Sequence, residues 1–119
     1  MDIVVTVPKS EYANIQEEET WAEKQGPSNE SGACCFWKVS RLPKRLAPGD
    51  RVYFVQNGHI DNYNEFWYFE EEGYECEVTG RFWEGPLLVM KVPSIRLKKP
   101  VPMKGFQGFR YIKRNEELQ

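Results

Sequence analysis

The chain has no apolar stretch near the ~20 residues that a membrane-crossing helix needs. It also has a single histidine and only three cysteines. Each shortage excludes something. The first removes a helical membrane span. The N-terminus opens on Asp2 and a short apolar run, Ile3 to Val7. It lacks the basic start, longer apolar centre and small-residue cleavage site of a secretory leader, so a cytoplasmic location is expected. Cys34 and Cys35 are adjacent and Cys76 is distant. Neighbours on a strand point to opposite faces, so the pair cannot line one metal site. Their spacing is neither a disulfide framework nor a zinc signature, and no cofactor or metal is expected. The histidine, His59, follows a hairpin glycine and reads as a solvated turn residue rather than a general base. No Ser/His/Asp set can be assembled around it. No phosphate-cradling glycine loop is present. Nor is there a large excess of one charge: the formal net charge is −2. As a sum, that argues against a strongly basic, non-specific nucleic-acid binder.

What the chain does contain fits one domain. Its 119 residues suffice to bury roughly 65% of the surface of the unfolded chain. The expected domain spans residues 1–114, with a frayed tail over 115–119. Charge is unevenly distributed. Between Glu11 and Glu30 it is nearly all acidic, against Lys24 alone; from Arg96 to Arg114 it is all basic. A second basic group is Lys38, Arg41, Lys44 and Arg45. The four tryptophans are many for a small core to hide.

The elements read as follows. Asp2 to Val7 is almost wholly apolar and β-branched, the mark of a strand buried on both faces. Asn14 and Glu17 have capping-box spacing and predict a helix to Gln25, with Ile15, Ala22 and Trp21 facing the core and Glu17 to Glu19 facing water. The GPSNESG segment, Gly26 to Gly32, predicts a loop of the kind that can act as a lid. Ala33 to Ser40 predicts a strand with Trp37 and Val39 on one face. Arg51 to Gln56 predicts another, with Val52 and Phe54 opposite Tyr53 and Val55. Asn57-Gly58 predicts a tight hairpin and His59 the returning strand. Asp61 to Gly73 has no clean period and predicts an irregular excursion. Tyr74 to Thr79 alternates like a strand, and Gly80 to Pro86 predicts a turn around Trp83. Leu87 to Val92 predicts a buried strand, Ser94 to Leu97 a short extended piece, and Phe109 to Ile112 a closing strand. The fold class is mainly β with peripheral helices (α+β), arranged as a small mixed β-barrel.

The run from Phe36 to Ile60 holds an aromatic-basic strand, a Pro-Gly-Asp corner, a second strand and the Asn-Gly turn. Its segment Leu46-Ala47-Pro48-Gly49-Asp50-Arg51-Val52-Tyr53-Phe54-Val55, with the order of elements around it, resembles the PUA-like superfamily, which includes the EVE and ASCH domains. Lys9-Ser10-Glu11-Tyr12 resembles the motif after the first strand of EVE domains. The resemblance implies a PUA-like barrel with a pocket between the opening helix and the aromatic-basic strand, receiving a nucleobase or a modified derivative. Trp37, Lys38, Ser40 and Arg41 would then occupy the pocket strand, and Ser10 and Tyr12 its opening.

Base recognition requires a flat apolar face, a polar edge reader and phosphate contacts. Trp37, Trp83 and Phe106 are the stacking candidates, although each also has a reading as core. Lys44, Arg45, Lys104 and Arg110, together with Arg41, are the candidate phosphate contacts. The expected partner is RNA or DNA, with or without a modified base, and not a membrane. Two alternatives stand beside this binding role. One is an ASCH-like amidohydrolase acting on a modified nucleoside, for which Lys38, Glu77 and Thr79 are the residues to consider. The other is a protein-interaction accessory module presenting the aromatics Phe66 to Phe69.

Overall fold

The structure, a computed structural model, describes residues 1–28, 34–75, 80 and 82–118. Nine strands and one α-helix make up the described elements. In chain order they are β1 (Asp2–Thr6), α1 (Tyr12–Gln25), β2 (Cys34–Lys38), β3 (Arg51–Gln56), β4 (His59–Glu70), β5 (Gly73–Glu75), β6 (Phe82–Glu84), β7 (Leu87–Lys91), β8 (Ile95–Pro102) and β9 (Phe109–Ile112). A short 3-10 turn, Lys9–Glu11, leads into α1, and another, Glu116–Leu118, ends the described chain.

Seven strands form one mixed sheet in the order β2-β7-β4-β3-β1-β9, with β8 added on β4. β1 lies parallel to β3 and antiparallel to β9. That central position accounts for its composition. Both faces of β1 are covered, so an alternating pattern would leave polar groups buried, and its middle, Ile3 to Val5, is wholly apolar. Ile3 and Val5 face one core, Val4 the other. β3 divides in the same way, Val52 and Phe54 from Tyr53 and Val55, as its alternation predicts.

The first core joins Ile3, Val5, Val52 and Phe54 to Phe66, Leu88 and Met90. Residues of β2 (Cys35, Trp37), α1 (Tyr12, Ile15) and β9 (Phe109, Tyr111) pack against it. Among the described residues no ladder joins β2 to β9. Both strands instead pack side chains against the first core. The second core lies on the opposite face: Val4, Tyr53, Val55, Ile60, Tyr63, Leu97 and Leu118.

β4 replaces the irregular excursion expected over Asp61 to Gly73. It is a continuous strand of 12 residues. It pairs β3 along one edge and, along the other, first β8 and then β7. Register shifts at Ile60/Asn62 and Phe66/Tyr68 bend it between the two neighbours, and such bulges break the period-two pattern that sequence reading relies on. Phe82–Glu84, expected as a turn, is a strand paired with β5. Gly85 follows β6 at the open end of that pair, where a Cβ would lie 1.9 Å from the Glu71 carbonyl oxygen. The Asn57-Gly58 turn has positive φ at both residues, 55° and 78°, the backbone of a type I′ hairpin.

Two further expectations change. The helix begins at Tyr12, so Asn14 lies inside its first turn and does not cap it. The tail expected to fray from residue 115 is docked as far as Leu118, which is 1% exposed. The Leu118 carbonyl accepts hydrogen bonds from Arg51 Nη1 (2.9 Å) and Tyr53 Oη (3.1 Å). Nearby, buried Asp2 receives both Nε and Nη2 of Arg114 at 3.1 Å.

Candidate functional site

The two cores do not fill the space between α1 and the sheet. A cavity of about 260 Å³ lies there, bounded by α1, β2, β3, β4 and β7. Its size is just under the ~300–1,000 Å³ of pockets for drug-sized ligands, which suits one base-sized ring system.

The walls are aromatic and aliphatic. Phe36 and Trp37 of β2, Trp83 of β6, Phe54, Met90 and Ile15 all line it. Trp37 stands edge-on to Phe54 with ring centroids 5.4 Å apart, and Phe36 stands edge-on to Trp83 at 5.8 Å. Trp37 is thus both a support of the first core and a wall of the cavity. The stacking role and the core role proposed for it concern the same half-buried ring.

Apart from Lys38, the polar lining was not assigned from sequence. It comprises Glu11 and Glu19 of the helical segment, Gln56, Asn62, Asn64 and Ser94, with Lys38. The frame of α1 explains Glu19. Ile15, Glu19 and Ala22 are spaced by four and three, so they share one face. Reading Ile15 and Ala22 as inward-facing already commits Glu19 to the same side, whereas the run Glu17 to Glu19 was expected in water. The register explains the asparagines. Asn62 pairs with Phe54 and Asn64 with Val52. Direct cross-strand partners share a face, so both carboxamides stand on the side of the first core. Two polar residues on such a face were the available signal, and the lost period of β4 concealed it.

These groups are tied to one another. Glu19 Oε1 accepts from Asn62 Nδ2 at 3.4 Å and from Ser94 Oγ at 3.5 Å. Asn64 is 5% exposed and donates from Nδ2 to the Lys91 carbonyl at 3.0 Å, as a buried amide must. Burial pushes the Glu19 carboxyl above its ordinary pKa. The charge of Arg96 and the Ser94 hydroxyl pull the other way, and Glu23 adds a smaller push. A carboxyl so placed is a common property of functional clefts.

Of the residues singled out from sequence, Trp37, Lys38 and Trp83 line the cavity. The others do not. Ser10 is exposed on the 3-10 turn. Tyr12 packs on the first core, and its hydroxyl accepts from Asn57 N at 3.2 Å. Ser40 is exposed. Arg41 was expected at the cavity mouth; its guanidinium instead lies over the Phe109 ring at 5.1 Å. Phe106 packs on the second core, on the opposite face of the sheet, under Arg110 at 4.2 Å. Arg45 lies over Tyr111 at 5.4 Å. Lys44 and Lys104 are exposed.

The Pro-Gly-Asp corner has a structural task. Asp50 Oδ2 accepts from Ala47 N at 2.8 Å and from the N-terminal ammonium. His59 pairs with Asp61, Nε2 to Oδ2 at 3.2 Å, on the hairpin surface. Glu77 and Thr79, considered for amidohydrolase chemistry, lie outside the described residues, as do Cys76 and Val78. The aromatic cluster proposed for partner docking divides: Phe66 is buried at 4%, Phe69 packs on the first core, and Tyr68 is 41% exposed. Among the described residues no helix is long and apolar enough to cross a membrane. Neither a family model, a curated protein nor a solved structure matches the chain.

Proposed function

We propose that the protein binds nucleic acid by taking one base, plain or modified, into the cavity between α1 and the sheet. The observation that carries this reading is the pairing of flat indole and phenyl walls with carboxamide and carboxylate groups in one base-sized hollow. Rings supply stacking, worth roughly 1–3 kcal/mol per base, and the polar groups supply an edge reader. An extruded base needs both.

One cation stands at the cavity and two others follow it in sequence. Lys38 is exposed at the end of β2 and lines the cavity. Arg41 follows three residues later and lies over Phe109, and Arg45 lies over Tyr111; both would meet the strand outside the cavity. Stacked guanidinium groups keep their N–H donors available to phosphate oxygens. The order of strand, helix, aromatic-basic strand, Pro-Gly-Asp corner and hairpin is in keeping with the PUA-like resemblance, and membership of that superfamily belongs to the same proposal.

The test is a fluorescence titration with single-stranded oligonucleotides at two salt concentrations, using the wild type and Trp83→Ala. Trp83 lies on the β5–β6 hairpin, off the seven-stranded sheet, so its loss spares the main fold. Affinity should fall about 5–150-fold in the variant, the equivalent of one stacked base. It should also weaken with salt in the wild type, and less steeply after Lys38→Ala. Binding indifferent to Trp83 would place the nucleic acid elsewhere, and binding indifferent to salt would remove the phosphate contacts.

A further inference from the structure

A carboxylate in the wall of an apolar cavity recognises only a ligand that brings donors to it. Glu19 stands on the cavity face of α1. Its protein donors, Asn62 Nδ2 and Ser94 Oγ, both reach Oε1, at 3.4 and 3.5 Å, and both bonds are long. An ionised carboxylate offers about four acceptor sites. Oε2 therefore keeps its acceptor capacity, and a ligand donor can displace the two long bonds at Oε1, so both oxygens can serve a ligand. Gln56 also lines the cavity, and its carboxamide is a donor that no side-chain bond occupies among the described residues. The hollow thus presents neighbouring acceptors and an amide donor beside aromatic rings.

The bases differ in what they can offer such a wall. Adenine and cytosine carry one amino donor next to a ring nitrogen acceptor. Uracil and thymine carry one ring N–H between two carbonyl acceptors. In each case a second carboxylate oxygen would meet a lone pair. Guanine has two adjacent donors, N1–H and the N2 amino group, beside the O6 acceptor. Two parallel N–H bonds to one carboxylate are the strong, geometrically selective arrangement. We infer, on the footing of the base-binding cavity proposed above, that the cavity selects a guanine-type base, with the Glu19 carboxylate accepting from N1–H and the N2 amino group, the Gln56 carboxamide donating to O6, and the ring lying against Trp37 or Trp83. Charge is ordered accordingly. The base enters beside Glu19, and the phosphate remains outside by Lys38.

The experiment is isothermal titration of the full chain with GMP, AMP, CMP and UMP, and of Glu19→Gln with the same four. Gln keeps the shape of Glu and replaces one acceptor oxygen by a donor. GMP should bind at least about tenfold more tightly than the others, the scale of one bidentate base contact. Glu19→Gln should erase that preference by weakening GMP at least about tenfold. Equal affinity for all four, preference for another base, or a GMP preference that survives Glu19→Gln would overturn the inference and leave the cavity standing as a base site. Failure of all four nucleotides to bind up to about 1 mM would overturn the base-binding reading itself, and the inference with it.

Discussion

Ala22→Leu tests the cavity without touching any polar group. Ala22 is 3% exposed and lines the hollow from α1. Leucine adds three carbons. At about 0.8 kcal/mol per buried CH₂ the transfer gain reaches about 2.4 kcal/mol. Ordering the new side chain costs about 0.5–1 kcal/mol, and leucine is nearly as good a helix former as alanine. A net stabilisation of about 1–2 kcal/mol follows, in the usual range for cavity filling. The sign is diagnostic, because the same substitution in a filled core would cost about 1–3 kcal/mol through overpacking. Urea denaturation measures it, with the midpoint rising at an unchanged slope. The variant should at the same time lose affinity for single-stranded oligonucleotides, since the new side chain occupies the ligand's space. A loss of stability of 1 kcal/mol or more would refute the open cavity. A more stable protein that binds as before would refute the ligand's place in it.

Two other outcomes follow from the packing. Leu118→Ala should cost about 2–5 kcal/mol, because the side chain is 1% exposed within the second core; a shift in urea stability below about 0.5 kcal/mol, the scale of an ordinary surface change, would mean that the final turn does not dock. Glu19→Gln should raise the melting temperature near neutral pH but not below the ordinary glutamate value of 4.5. The folded-state pKa of Glu19 is raised, chiefly by burial, so its neutral form contributes stability that is present below that value and is lost as pH rises toward the folded pKa. Arg96 opposes the shift and Glu23 reinforces it, and a variant whose advantage grew toward acid would contradict this sign.

Local chemistry was legible where one short-range rule governs one segment. β1 announced its two covered faces by its unbroken β-branched run from Ile3 to Thr6. The alternation of β3 divided the cores correctly, and Asn57-Gly58 marked its hairpin because few residue pairs adopt positive φ twice in succession. Two walls of the site, Trp37 and Trp83, could be picked out as large aromatics next to breakers and charge, although Trp83 sits on a strand and not in a turn. The opening helix and the predominance of strands followed from the same signals.

Tertiary structure alone decided which polar residues face the hollow. Asn62 and Asn64 became site residues through pairing with Phe54 and Val52, a register set by a hairpin and by neighbours distant in the chain. Glu19 became one because the sheet lies beneath the stripe of α1 that it shares with Ile15 and Ala22. Arg41 left the site because Phe109, from the last strand, offers its ring nearby. Composition and periodicity record what a residue prefers beside its neighbours in sequence. Which wall it joins depends on strand pairing across scores of residues, and no local preference encodes that.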